Sequence, residues 1–437
     1  MDPVLVAILG LIGMFVLIGL HVPVGVAMAI AGAVGFGILT SWGAALSLFA
    51  TEPAGVLASP DLAVIPLFLL MGSFAGVSGL SADIYRLAYA FVGHRRGGLA
   101  LATIGGCAGF GAVCGSSVAT AATIGRVALP EMISRGYSPT LASGSVAAGG
   151  TLGMLIPPSV VMVIYAFLTE KFVITLFIAA LVPGILAILG QFITVWILVR
   201  RDPAIGPAGE RVSWPERLRV LRQSSGIVVL LGAVIGGIYG GIFTVNEAAS
   251  LGAGLAFLFT VMRGKMNWSN LKQVLRETAS ASAMIYLIIM GASIFSIFIS
   301  ASNMPEALVT SIQGMNLSPM LVIYALLLMY LILGSVFDTV AAMLITMPFV
   351  FPLVVGLGYD PYWWGVVLVM VMEVGMITPP IGMNVFVIHG IADKIELKTI
   401  FAGIMPFFYT DIVRINLLVW FPLLTLALPR AFGVNLN

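Results

Sequence analysis

Oxygen-bearing side chains cluster in four short stretches of an otherwise apolar chain, and these are the places where chemistry could occur. One stretch carries Ser116, Ser117, Thr120 and Thr123; a second carries Ser335, Asp338 and Thr339. The other two surround proline pairs: Thr151 to Ser159 with Pro157-Pro158, and Glu373 to Asn384 with Thr378 and Pro379-Pro380. Hydroxyl, carboxylate and freed carbonyl oxygens are hard donors that suit Na⁺, whereas helix N-termini facing the same space suit a carboxylate. Small hydroxyls also pack membrane helices together, so the paired sets weigh more than any single serine. Asp338 stands out, because an intramembrane carboxylate is costly and marks function by default; the alternative is a protonated or arginine-paired structural acid. Glu373 either caps backbone donors at its break or contacts the cargo. Asp411 and Arg414 are three apart and read as a structural pair along one helix face.

The elements that must position these groups are interrupted helices. Gly375-Met-Ile-Thr-Pro-Pro-Ile-Gly-Met-Asn384 lies inside a long apolar run, and Gly153-Met-Leu-Ile-Pro-Pro158 repeats the pattern. Adjacent prolines remove two backbone donors and clash with the preceding turn. In lipid, the freed carbonyls are tolerated only where they are buried in protein or line a cavity. The two tips, at Gly115-Ser116 and Gly334-Ser335, each interrupt a run that reads as a re-entrant hairpin.

These features form an internal repeat. Met71-Gly72 recurs as Met290-Gly291, Gly115-Ser116 as Gly334-Ser335 and Thr120 as Thr339, each 219 residues on. Gly136-Tyr137, Gly153-Met154 and Pro157-Pro158 recur as Gly358-Tyr359, Gly375-Met376 and Pro379-Pro380, each 222 residues on. At the same offsets Asp338 falls on Ala119 and Glu373 on Thr151, so the halves are not chemically identical. Matched broken helices in two halves point to a transporter's binding site.

Composition agrees. Of 437 residues, 60% are hydrophobic and 9% charged, against about 25% charged in soluble domains. A net charge of +2 argues against nucleic acid as a partner and leaves the lipid bilayer as the surroundings. Cys107 and Cys114 read as small packing residues, and three scattered histidines make no zinc spacing. The start reads as a first membrane helix rather than a signal peptide. Spans are expected over residues 4–20, 22–40 and 64–92, with 41–62 an interfacial connection. The first hairpin and broken helix follow over 99–168, then a span to residue 199. Residues 200–222, with six arginines and three prolines, read as a linker. Spans then cover 224–243, 245–262 and 280–301, with 263–277 an amphipathic interfacial helix. The second hairpin and broken helix occupy 319–391, and a last span 399–428. The units so defined are 1–98 and 169–318 as scaffold, 99–168 and 319–391 as the transport part, and 392–437 as a C-terminal segment. With the N-terminus outside, nearly all arginines and lysines fall inside. The second half is then inverted relative to the first, and the chain is an all-α polytopic membrane protein.

At Gly115 to Gly125, Gly153 to Ser159 and Glu373 to Asn384 the chain resembles the large membrane subunit of tripartite ATP-independent periplasmic (TRAP) transporters, over essentially its whole length. The resemblance implies a sodium-coupled, elevator-type importer of the ion-transporter-superfamily kind, in a bacterial inner membrane with a periplasmic N-terminus. It implies two partners: a small four-helix membrane subunit, here unfused, and a periplasmic substrate-binding protein that delivers an organic acid such as a C4-dicarboxylate or a sialic acid. Sodium, at two or more ions, is expected at the hairpin–break junctions. Its ligands would be Ser116, Ser117, Thr120, Thr151 and Ile156 on one side and Ser335, Asp338, Thr339, Thr378 and Asn384 on the other. The substrate would lie between, against Thr123, Pro158, Ser159, Glu373 and Pro380.

A second transport reading is a stand-alone divalent-anion:sodium symporter that needs no partners. An intramembrane enzyme is disfavoured, because the chain has neither a Gly-x-Ser-x-Gly elbow nor a His-Glu-x-x-His helix. Two oxygen-rich junctions also favour alternating access over an open channel.

Overall fold

The computed structural model describes residues 2–315, 317–392 and 394–433; the end of the expected C-terminal segment, 434–437, lies outside them. The first half runs α1 (Pro3–Gly19), α2 (Val24–Leu39), α3 (Trp42–Ala58), a 3₁₀ turn, α4 (Val64–Ser78) and α5 (Leu80–Val92). Next come the hairpin α6 (Gly98–Cys114) and α7 (Ser117–Ser134), the broken pair α8 (Pro139–Leu155) and α9 (Val160–Thr169), and α10 (Val173–Arg201). The second half runs α11 (Trp214–Gln223), α12 (Ser225–Tyr239), α13 (Val245–Met262), α14 (Trp268–Ala301) and α15 (Met304–Gly314). Its hairpin is α16 (Pro319–Val336) and α17 (Thr339–Gly356), its broken pair α18 (Pro361–Gly375) and α19 (Met383–Ile391), followed by α20 (Leu397–Trp420) and α21 (Leu423–Ala431). All the described elements are helical. Eight helices, or nine if the bent pair α11–α12 counts as one, are long and apolar enough to cross a membrane.

Both hairpins and both broken pairs fall where the sequence puts them. Five other expectations change. The span over 64–92 is two helices, because Gly79 at φ +83° ends α4 and opens α5, a conformation glycine alone adopts freely. The connection over 41–62 is mostly helix α3, started by the Ser41 hydroxyl on the Ala44 N–H. The linker over 200–222 contains amphipathic α11, started by Ser213 and braced by a Glu216–Arg219 ion pair. The interfacial helix over 263–277 is not separate: with no breaker between Trp268 and Ala301, it continues into the next span as one 34-residue helix. Residues between that span and the second hairpin form α15. The last span ends at Trp420, where Phe421-Pro422 divides α20 from α21. The helices α16 and α17 have 18 residues each and could each cross a bilayer, so length does not make the second hairpin re-entrant.

Close backbone approach holds the bundle together. A Cβ added at Gly25 or Gly291 would overlap the facing helix's backbone where α2 meets α14, and Gly144 and Gly403 do the same where α8 meets α20. Such contacts suit membrane helices, which associate by packing rather than by the hydrophobic effect. The helix α10, grouped by sequence with the scaffold, packs on α8, α18, α20 and α21. Each break's outgoing helix crosses to the opposite hairpin: α19 packs on α7, and α9 on α17.

Candidate functional site

Each hairpin tip is the start of a capped helix. At the first, the Ser116 Oγ accepts from the Ala119 N–H at 3.4 Å, and the Thr120 hydroxyl bonds the Ser116 carbonyl at 2.7 Å. At the second, Asp338 Oδ1 accepts from the Val340 and Ala341 N–H groups at 3.0 and 3.4 Å. Asp338 therefore caps α17 as Ser116 caps α7, while its equivalent Ala119 sits inside the helix. Ser335 bonds the Ile332 carbonyl, and the buried Thr339 hydroxyl has no hydrogen-bond partner among the described residues.

The breaks sit against the tips. A Cβ on Gly115 would lie 3.1 Å from the Pro158 carbonyl oxygen, and one on Gly153 would lie 2.8 Å from the Ser116 carbonyl oxygen. In the second half the Gly382 N–H donates to the Ser335 carbonyl at 3.2 Å. Both proline pairs are joined by cis peptide bonds. Ile156 closes α8 and Thr378 bonds the Val374 carbonyl.

Asn384 does not complete the Asp338 side. Its Nδ2 donates to Ser117 Oγ at 2.8 Å, at the first tip, and its buried Oδ1 has no hydrogen-bond partner among the described residues. The reason is the crossing of α19 onto α7, which turns the start of α19 toward the start of α7.

Between α4, α7, α14 and α17 lies a cavity of about 860 Å³. Of the expected site residues, Ser116, Ser117, Thr123, Asp338 and Thr339 line it. The N-termini of α7 and α17 thus open on one space, as an anion site requires. The expected substrate contacts Pro158, Ser159, Glu373 and Pro380 do not line it. Ser159 is buried and caps α9 through the Met162 N–H at 3.4 Å. Pro158 is buried beside it, and Pro380 lies on the exposed rim of the second break. Thr120, Thr151, Ile156, Ser335, Thr378 and Asn384 also lie off this cavity, behind the tips or at the breaks.

Glu373 requires a larger correction. It is fully buried, with Oε1 2.8 Å from the Thr151 hydroxyl and Oε2 3.4 Å from Arg414 Nη2. Arg414 also pairs with Asp411 at 3.1 Å. Neither Glu373 nor Thr151 faces cargo in this structure; they join α18 to α8 and α20. The expected Asp411–Arg414 pair is present and gains Glu373 as a third member.

Sequence reasoning passed over Arg126, Gln273 and Glu277, which also line the cavity. Arg126 makes no ion pair or hydrogen bond among the described residues, whereas Gln273 donates to Glu277 at 2.9 Å. The available signal was a lone arginine on α7, three residues beyond Thr123. A second cavity of about 330 Å³ lies further along α14, against Ser293, Ser296 and Ser300.

Comparison with known proteins agrees with this architecture. A family model described as the tripartite ATP-independent periplasmic transporter, DctM component, matches residues 11–424. The chain belongs to this family. The C4-dicarboxylate TRAP transporter large permease protein DctM of Pseudomonas aeruginosa is 36% identical over 375 residues, 86% of this chain and 87% of that protein. The sialic acid TRAP transporter large permease protein SiaM of Vibrio cholerae is 28% identical over 402 residues, 92% and 93% of the two chains. Among solved structures, the Alcanivorax borkumensis YdaH transporter, described as having an unusual topology, superposes with a TM-score of 0.58 over 90% of each chain at 15% identity. That last likeness concerns fold alone. As a DctM-family member, the chain is a multi-pass membrane transport permease and not an enzyme.

Proposed function

We propose that this chain is the transport subunit of a sodium-coupled importer of an organic acid, with the substrate held in the cavity between the two hairpin tips. The observation that carries the reading is the convergence there of two capped helix starts with Ser116, Ser117, Thr123, Asp338 and Thr339, and with the unpaired Arg126 on the same wall. Helix N-termini and a guanidinium attract a carboxylate, and the hydroxyls can orient it. Sodium is the co-transported cargo. Its sites are the junctions where Gly115 meets Pro158 and where the Ser335 carbonyl meets Gly382. Both junctions concentrate carbonyl and hydroxyl oxygens at helix ends.

The mechanism we favour is an elevator. The hairpins, broken pairs, α10 and α20 would move as one body against α2, α4, α13 and α14. Two cavities at different levels of α14, one lined by Gln273 to Ile285 and the other by Ile289 to Ser300, fit access from alternate sides. A small four-helix membrane subunit and a periplasmic binding protein would complete the system in a bacterial inner membrane, with the N-terminus periplasmic as the charge bias favours. The C4-dicarboxylate and sialic acid relatives make these acids the first candidates.

The test is uptake of labelled C4-dicarboxylate and sialic acid into liposomes holding this chain, its small subunit and the binding protein. Uptake driven by an inward sodium gradient, and absent when potassium replaces sodium, is expected. Uptake indifferent to sodium overturns the coupling. Uptake by this chain alone favours the stand-alone symporter instead.

A further inference from the structure

Three ionisable side chains meet away from the cavity, inside the helical bundle, and the transport reading uses none of them. Glu373 on α18 is fully buried, and Asp411 and Arg414 on α20 are 1% and 4% exposed. Arg414 Nη2 lies 3.1 Å from Asp411 Oδ1 and 3.4 Å from Glu373 Oε2. Among the described residues no other charged side chain pairs with these three. Thr151 on α8 and Gln191 on α10 both turn to the Ala148 carbonyl. Tyr165 on α9 and Tyr330 on α16, which also pack on α18, bond to the Pro361 carbonyl and to Thr346. Two carboxyl groups therefore share one guanidinium at a site cut off from water, where an uncompensated charge is strongly destabilising.

The hydrogen bonds say how the charge balances. The Thr151 hydroxyl has one proton to give, yet its oxygen lies 2.7 Å from the Ala148 carbonyl oxygen and 2.8 Å from Glu373 Oε1. Were Glu373 ionised, both neighbours would only accept, and one of these two close oxygen pairs would have no proton between them. A neutral carboxyl removes the conflict: Thr151 donates to Ala148, and the Glu373 O–H donates to Thr151. The guanidinium touches both carboxyl groups, at 3.1 Å from Asp411 Oδ1 and through a 3.4 Å hydrogen bond to Glu373 Oε2, so the proton count at Thr151 alone distinguishes them.

We propose that Glu373 is a proton-holding site in the folded transporter, donating to Thr151 while Asp411 and Arg414 form the ion pair. Thr151 and Glu373 occupy equivalent positions of the two halves, each a few residues before its break. The bound proton thus joins the two broken helices at the same level. It also leaves the cluster neutral, so a body carrying it across the bilayer moves only the charge of its cargo. That last consequence rests on the elevator reading; the proton site does not.

Infrared spectroscopy of the complete chain reconstituted in lipid at neutral pH tests the proposal directly. A protonated-carboxyl C=O stretch is expected that disappears in Glu373→Gln and persists in Asp411→Asn. The glutamine amide can donate the same hydrogen bond to Thr151, which favours a folded variant. Thr151→Val provides a second route, because losing the hydrogen-bond acceptor should move the band to higher frequency. No such band in the unmodified protein, a band lost in Asp411→Asn but kept in Glu373→Gln, or a band unmoved by Thr151→Val would each overturn the assignment. Sodium-dependent uptake, measured separately, tests the transport reading without touching this one.

Discussion

The two helix breaks share a proline pair but differ in how they close. The first spans residues 156–159 and is largely buried; the second spans residues 376–382, with Pro379, Pro380 and Ile381 exposed. One substitution between the halves accounts for much of this. Ser159 directly follows the first proline pair and caps α9, so helix resumes at Val160. The equivalent residue in the second half is Ile381, which has no oxygen to offer. The chain runs on through Gly382 at φ +63°, and α19 starts at Met383 without a side-chain cap. The same motif thus gives one tight junction and one loose one, and the loose one frees Asn384 to reach across to Ser117.

The largest test of this asymmetry lies beneath both breaks. Arg414→Met strands a buried carboxylate and should cost about 3–5 kcal/mol, seen as loss of folded, monodisperse protein in detergent. A variant that stays fully folded would mean that the cluster is solvated. Next come the glycines that let each break touch its tip. Gly153→Ala brings a Cβ 2.6 Å from Thr120 Oγ1, and Gly375→Ala brings one 2.8 Å from the Gly334 backbone. Overpacking of this kind costs about 1–3 kcal/mol. Each added Cβ also meets backbone, the Ser116 carbonyl oxygen at 2.8 Å in the first half and Gly334 at 2.8 Å in the second, so thermal unfolding should show a loss at both, and an unchanged melting temperature at either would contradict the close contact of break and tip.

Asp338→Asn separates capping from ion binding, because asparagine caps as well as aspartate. Thermal stability should hold while the sodium concentration for half-maximal uptake rises about tenfold, or about 1.4 kcal/mol; an unchanged sodium requirement would leave Asp338 a cap only. The smallest effects belong to the residue that distinguishes the breaks. Ser159→Ala should cost about 1 kcal/mol through loss of the α9 cap. Ile381→Ser should change stability by no more than a few tenths of a kcal/mol, since the helix it could cap starts two residues later.

Hairpins and breaks could be read from sequence because the signals there are local: glycine and proline pairs interrupt apolar runs at matching intervals. Element boundaries failed where continuity depended on a neighbour. The stretch from Trp268 to Ala301 changes from charged to apolar, which looks like two elements, yet nothing in it stops a helix. Conversely, the apolar run from Val64 to Val92 looks like one span, but Gly79 divides it. For the site, residue types drew attention to both tips, and Ser116, Ser117, Thr123, Asp338 and Thr339 line a cavity there, while Thr120 and Ser335, picked out by the same signal, lie off it. They misplaced Glu373, because oxygen chemistry near a break looks the same whether it faces a cavity or a buried arginine 41 residues further on.

By itself, the sequence determined a membrane-embedded helical chain with two hairpins, two breaks and a repeat, since lipid leaves an interrupted helix few options. Only the tertiary structure decided which oxygens share a space. Asn384 faces Ser117 because α19 crosses to α7, and Glu373 meets Thr151 and Arg414 because α18 packs on both α8 and α20; each contact joins residues that spacing along the chain cannot relate.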